Sequence, residues 1–127
     1  MHGIIIHSGD WDRIYHAFNI ASVYGSSDQE VVVLLTYWAL RTAIESAKEV
    51  GVKDGEKEEI LRNGISRGVI KRLEDMIKLA KSTGNVRIGV CPVSLSLLGY
   101  EEKDLPDWVD EVSSLFDALS MENVIFI

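Results

Sequence analysis

The sequence predicts an α/β protein, a three-layer α/β/α sandwich around a mainly parallel sheet of four to five strands. Three observations lead to this fold class. Short, continuously apolar runs alternate with segments of helical periodicity along the chain. The apolar runs are rich in β-branched residues, as in strands that are buried on both faces. Most connections are short, so the helices themselves serve as the crossovers that parallel strands need.

The first half of the chain reads as βαβα. Residues 3–7 are a β-branched run that predicts the first strand, and residues 11–24 carry apolar side chains at helical spacing. Residues 30–36 predict a second buried strand. Residues 38–50 have the composition of a helix that ends at Gly51.

The segment 51–68 interrupts this pattern. It contains four glycines and many charged residues, and we expect a mobile polar excursion with one helical turn around Ile60 and Leu61. A fifth strand within it is the alternative. The excursion belongs to the same domain, because 127 residues with 46% hydrophobic content fit a single domain spanning residues 1–127.

The second half continues the alternation. The pattern predicts a helix over 69–80, a strand over 86–90 and a short helix over 92–98. Asp107 is then expected to cap a helix that runs to residue 119. Residues 123–127 predict the last strand.

Composition and charge exclude several classes of function. A formal net charge of -7 repels a phosphate backbone, so we expect no nucleic-acid partner. No apolar segment approaches the ~18 residues of a membrane span. His7 and His16 form no metal-ligand spacing with Cys91, and we expect neither a metal nor another cofactor. One cysteine forms no internal disulfide, which favours the reducing cytoplasm.

The candidate site lies where three predicted strands end. Ligands of parallel sheets bind outside the carboxyl ends of the strands. These ends carry the segments 8–10, 36–38 and 91–94. The candidate binding residues around Cys91 are Ser8, Gly9, Asp10, Thr36, Trp38, Pro92 and Ser94.

Cys91 is the candidate reactive residue. Pro92 suits the first position of a helix, so the thiol faces a helix N-terminus, whose N–H groups and dipole favour a thiolate. The alternative is a small buried hydrophobic residue, since free cysteine is among the most buried residue types. From physics alone, the two interpretations are about evenly matched.

The other candidates also have two interpretations. The Ser8-Gly9-Asp10 turn either presents N–H groups to an anion or is only a turn with a capping residue. Trp38 either walls a pocket beside the thiol or completes a core or a subunit contact.

Several segments together resemble the DsrE/DsrF/DsrH-like family of small sulfur-relay proteins, which includes the Tus sulfurtransferase subunits. The resemblance rests on the order of the segments 4–10, 32–40, 86–91 and 125–127, with Cys91 at the end of the third strand. Between the last two segments it includes Ser94, residues 98–99, Glu102, residues 104–105 and residues 109–112. It implies a three-layer fold and assembly into trimers or hexamers. It also implies that Cys91 carries sulfur as a persulfide between TusA-like or rhodanese-like partner proteins.

Two functional hypotheses follow from these observations. In the first, Cys91 is the nucleophile of a sulfur-relay protein, a sulfurtransferase-like carrier. In the second, the chain is a non-catalytic, oligomeric protein that binds a small ligand or a partner, and Cys91 is structural. A peroxidase-like role ranks third, because a single cysteine needs an external resolving thiol.

Overall fold

A computed structural model describes all residues from 1 to 127. The five strands are β1 (His2–Ile6), β2 (Val31–Leu35), β3 (Val86–Val90), β4 (Glu111–Val112) and β5 (Asn123–Phe126). The six helices are α1 (Trp11–Ser26), α2 (Tyr37–Glu45), α3 (Gly55–Ser66), α4 (Leu73–Ser82), α5 (Pro92–Leu98) and α6 (Leu115–Leu119). None of these helices combines the length and the apolar composition that crossing a membrane requires.

The strands form one parallel sheet in the order β4-β3-β2-β1-β5. The predicted α/β class is therefore confirmed, and the fifth strand exists. β1 lies between β2 and β5, so segments from the two halves of the chain pair directly with it. The three predicted strands β1, β2 and β3 are neighbours with their carboxyl ends at the same edge.

Helices cover the two faces of the sheet unequally. One face packs into a core of 23 buried residues, to which α1, α2, α4 and α5 all contribute. On the other face, a cluster of only three buried residues forms, Ile5, Leu34 and Ala118 of α6, with Val124 packed against it. The second covering layer is thus a single five-residue helix.

Two glycines allow this short layer to lie close to the sheet. A Cβ atom on Gly3 would come within 2.7 Å of the Ala118 carbonyl oxygen, and one on Gly89 would lie 2.8 Å from the Ser113 Cβ. A side chain at either position would push the segment around α6 outward.

The prediction for the polar excursion is wrong. Residues 55–66 form the three-turn helix α3 rather than a loop with one helical turn, and the fifth strand lies elsewhere. The Asp54 side chain caps this helix by accepting from the N–H groups of Glu56 and Lys57, both at 3.1 Å. Gly64 lies within this helix, where its lack of a side chain leaves room for Ile70.

The predicted helix from Asp107 to residue 119 is also wrong. Residues 111–112 instead pair with the free edge of β3, and only Leu115–Leu119 is helical. Tertiary contacts decide the outcome, because the Asp110 carboxylate accepts from the Ile88 N–H at 2.7 Å and pairs with Lys81. Ser114 then caps α6 by accepting from the Asp117 N–H at 3.3 Å.

Helix α2 ends five residues before the predicted end. The carbonyl of Ser46 accepts from the indole N–H of Trp11, and that of Ala47 from the N–H of Glu74. These two carbonyls therefore accept hydrogen bonds from other parts of the chain and not from N–H groups of a longer α2. The predicted helix over 69–80 starts later, at Leu73, while β3 and α5 match their predicted bounds.

Candidate functional site

A cavity of about 550 Å³ lies at the carboxyl edge of the sheet, between the beginnings of α2, α5 and α6. Its walls are mainly apolar and include no lysine, arginine, aspartate or glutamate. The lining residues are Ile5, His7, Thr36, Tyr37, Cys91, Pro92, Val93, Ser114, Leu115 and Phe126.

Cys91 lines this cavity and retains 9% exposure. Its backbone is fixed on both sides, because its N–H donates to the Leu35 carbonyl at 3.0 Å and its carbonyl accepts from the Leu95 N–H at 2.9 Å. As predicted, Pro92 begins the following helix. The residue is therefore held rigidly at the strand–helix junction, beside a space large enough for a small molecule.

Thr36 and Pro92 are the two predicted binding residues that share the cavity with Cys91. The Thr36 hydroxyl already donates to the Ile6 carbonyl at 2.9 Å, and the Thr36 N–H donates to the same oxygen at 3.0 Å. Thr36 consequently ties the end of β2 to the end of β1, and its contribution to the cavity is mainly its shape.

Ser94 supports the cavity wall from behind. It is fully buried, and its hydroxyl accepts from the Tyr37 N–H at 2.7 Å. Tyr37 has a φ of 48°, a left-handed conformation that is costly for a residue with a side chain. The buried hydroxyl helps to hold this backbone, and the Tyr37 ring lies 5.2 Å from the His7 ring.

The Ser8-Gly9-Asp10 turn is not part of the cavity. The Ser8 N–H donates to the Ile127 carbonyl, and the Asp10 N–H donates to the Ser8 hydroxyl at 3.1 Å. The Gly9 carbonyl accepts from the Thr42 hydroxyl at 2.8 Å. Two of the three N–H groups are thus already bonded, which favours the interpretation as a turn.

Gly9 and Asp10 instead border a separate, polar cleft of about 780 Å³. Four cationic side chains also border it, those of Arg13, Arg41, Lys53 and Lys57. Carboxylates offset this charge, and Asp10 itself lies 3.4 Å from Arg13.

Trp38 also lies outside the cavity. Its side chain is 42% exposed, and the Arg41 guanidinium lies 5.0 Å from the ring centroid, within the range of a cation–π contact. This position matches neither a wall of the cavity nor a core residue, and the third interpretation of Trp38, a subunit contact, stays a prediction.

Sequence reasoning missed much of the cavity wall. Phe126 lines it because β5 pairs with β1, which sets Phe126 opposite Ile5. Leu115 lines it because α6 packs on the thinly covered face. The sequence does hold the apolar run at 123–127, but its neighbour in the sheet is not encoded locally.

No group of three or more potential metal-ligating side chains occurs in the structure. In comparisons with known proteins, no family model matches the chain. The chain is similar to an uncharacterized protein, YrkE, from Bacillus subtilis strain 168. The two are 27% identical over 133 residues, which covers 84% of this chain and 82% of that protein. The similarity thus extends over most of both chains.

Proposed function

We propose that this chain is a DsrE-like sulfur carrier that holds sulfane sulfur on Cys91 as a persulfide. The observation that carries the proposal is the position of the single cysteine at a rigid strand–helix junction beside an apolar cavity. The mainly apolar walls would limit the contact of a sulfur held on Cys91 with water and with other thiols.

The transfer needs no oxidant and no reductant. The Cys91 thiolate attacks the sulfane sulfur of a donor persulfide, forming a new S–S bond, while the old S–S bond breaks and the donor thiolate leaves with its electron pair. An acceptor thiolate then attacks the same sulfur and regenerates the Cys91 thiolate. One sulfur atom passes from donor to acceptor.

The resemblance supplies the partners of this proposal. We propose TusA-like or rhodanese-like proteins as donor or acceptor, a homo-oligomer such as a trimer or hexamer, and a cytoplasmic location where a free thiol stays reduced. Exposed apolar side chains support an assembly, since Phe116 on α6 is 77% exposed and Phe126 is 66% exposed.

Intact-mass measurement tests the carrier function. The native, reduced protein is exposed to polysulfide, thiosulfate or elemental sulfur without reducing agent, and we expect mass increases in steps of one sulfur atom, about 32 Da. The Cys91→Ser variant should gain none. Absence of a Cys91-dependent adduct with all three donors would sink the proposal.

The second candidate is a non-catalytic binding protein with a structural cysteine. The low exposure of Cys91 and the size of the cavity favour it. In that case, Cys91 of the native protein stays unmodified by every sulfur donor, whereas the urea-denatured chain is modified readily.

A further inference from the structure

No lysine, arginine, aspartate or glutamate lines the cavity, whereas four cationic and four anionic side chains border the adjacent cleft. The only ionisable side chains that line the cavity are those of His7, Tyr37 and Cys91. The polar cleft beyond the Ser8-Gly9-Asp10 turn has cationic side chains such as Arg41 and Lys53. The Cys91 sulfur atom thus lies at the cavity, which has no lysine or arginine in its lining, and not at the charged cleft.

Anionic sulfur compounds are poorly suited to such a cavity. A dianion such as thiosulfate loses its hydration shell on entry and meets no lysine or arginine side chain, and the N-termini of the helices around the cavity offset only a small part of this cost. The formal charge of -7 adds long-range repulsion. An uncharged, apolar molecule loses little hydration energy and gains from burial against side chains such as Val93, Leu115 and Phe126.

We infer that the cavity selects uncharged, apolar sulfane-sulfur compounds, of which cyclo-octasulfur is the simplest, and discriminates against anionic donors. This inference rests on the proposed function and names its class of small-molecule donor. The volume of about 550 Å³ lies in the range of small-molecule sites.

The reaction with cyclo-octasulfur balances without a further reactant. Cys91 first loses its proton to solvent, and the thiolate attacks one ring sulfur. A bond forms between the Cys91 Sγ and that sulfur, and the adjacent S–S bond of the ring breaks. Its electron pair remains on the far sulfur, which leaves an open chain of eight sulfur atoms ending in an anion. Acceptor thiolates then shorten the chain.

Rates of adduct formation at Cys91 with cyclo-octasulfur in dilute ethanol and with thiosulfate test the inference. The two donors differ in intrinsic reactivity, so the ratio of their rates is compared with that of a reference thiol. The Cys91→Ser/Ser66→Cys variant supplies it, because position 66 is exposed at the end of α3. We expect the ratio of cyclo-octasulfur to thiosulfate to be about tenfold higher at Cys91.

A matched pair of variants tests the role of charge. Val93 lines the cavity and is 62% exposed, so Val93→Lys adds a cation at the rim without disturbing the core. We expect this variant to lower the rate ratio at Cys91 several-fold. Leu97→Lys, on the same helix and 60% exposed but outside the cavity, is the control and should leave the ratio nearly unchanged.

The outcomes separate the two levels of the hypothesis. Equal rate ratios at Cys91 and at position 66, or a high ratio that Val93→Lys leaves unaltered, would overturn the selectivity and leave the carrier function standing. If the thiol at position 66 reacts while native Cys91 reacts with neither donor, the carrier function itself fails.

Discussion

Tyr37 and Ser94 connect two helix beginnings across 57 residues of sequence. The left-handed backbone of Tyr37 places its ring in the cavity wall, and the buried Ser94 hydroxyl accepts its N–H. A single hydrogen bond thereby couples the segment that follows β2 to the helix that follows Cys91. The shape of the cavity therefore depends on Ser94, although Ser94 does not line it.

Replacing this serine is predicted to be costly. Ser94→Ala leaves the Tyr37 N–H without its partner, and we expect the free energy of unfolding to fall by about 1–3 kcal/mol in urea titrations. Sulfur uptake by Cys91 should slow as Tyr37 shifts. Ser96→Ala, exposed two residues later on α5, is the control and should change stability by less than about 0.5 kcal/mol. Equal stabilities of the two variants would contradict the assigned role.

Among the secondary-structure elements, β4 is the shortest and depends most on side chains. Its two residues pair with β3, and the preceding Asp110 adds two contacts of its own, to the Ile88 N–H and to the ammonium of Lys81. Lys81 also donates to the Trp108 carbonyl at 3.1 Å. The carboxylate therefore fastens the sheet edge to α4.

Asp110→Ala is expected to lower the free energy of unfolding by about 1–3 kcal/mol, chiefly because the Ile88 N–H loses its acceptor, since the partly exposed ion pair contributes little. Asp110→Asn keeps an acceptor and should lose less. Asp107→Ala, at an exposed aspartate three residues earlier, serves as the control in thermal unfolding. A loss in Asp110→Asn as large as in Asp110→Ala would assign the effect to charge instead.

In the whole molecule, the imbalance between the two covered faces is the dominant feature. Helix α6 covers its face alone and presents Leu115, Phe116 and Leu119 to solvent. Such an apolar ridge on a chain of this size is typical of a surface that contacts another protein. It supports the proposal that copies of the chain assemble through this side.

Phe116→Glu is therefore expected to shift the protein toward monomers in sedimentation equilibrium, because it places a charge in an apolar contact. Phe116 is 77% exposed, so the monomer fold should persist in circular dichroism. Val23→Glu, exposed on α1, is the control and should retain the assembly. A wild-type protein that is monomeric at every concentration would refute the proposal.

The sequence predicted what is encoded locally. β1, β2 and β3 are continuously apolar, and Pro92 marks a helix start, so the position of Cys91 at a strand–helix junction followed directly. The fate of residues 107–119 was not predictable, because it depends on Lys81 and Ile88, more than twenty residues away. Thr36 and Pro92 were found because they adjoin the ends of locally recognisable strands. Leu115 and Phe126 were not, because they reach the cavity only through contacts between segments that are distant in sequence.

The pairing of β5 with β1 has a consequence for biosynthesis. A ribosome makes β1 before every other strand and β5 after them, so the Phe126 wall joins the sheet only when the rest has been made. Closing this long loop is an entropically demanding, late step of folding. Until β5 has paired, the cavity lacks its wall at Phe126, and the Cys91 thiol is more open to solvent than in the folded protein.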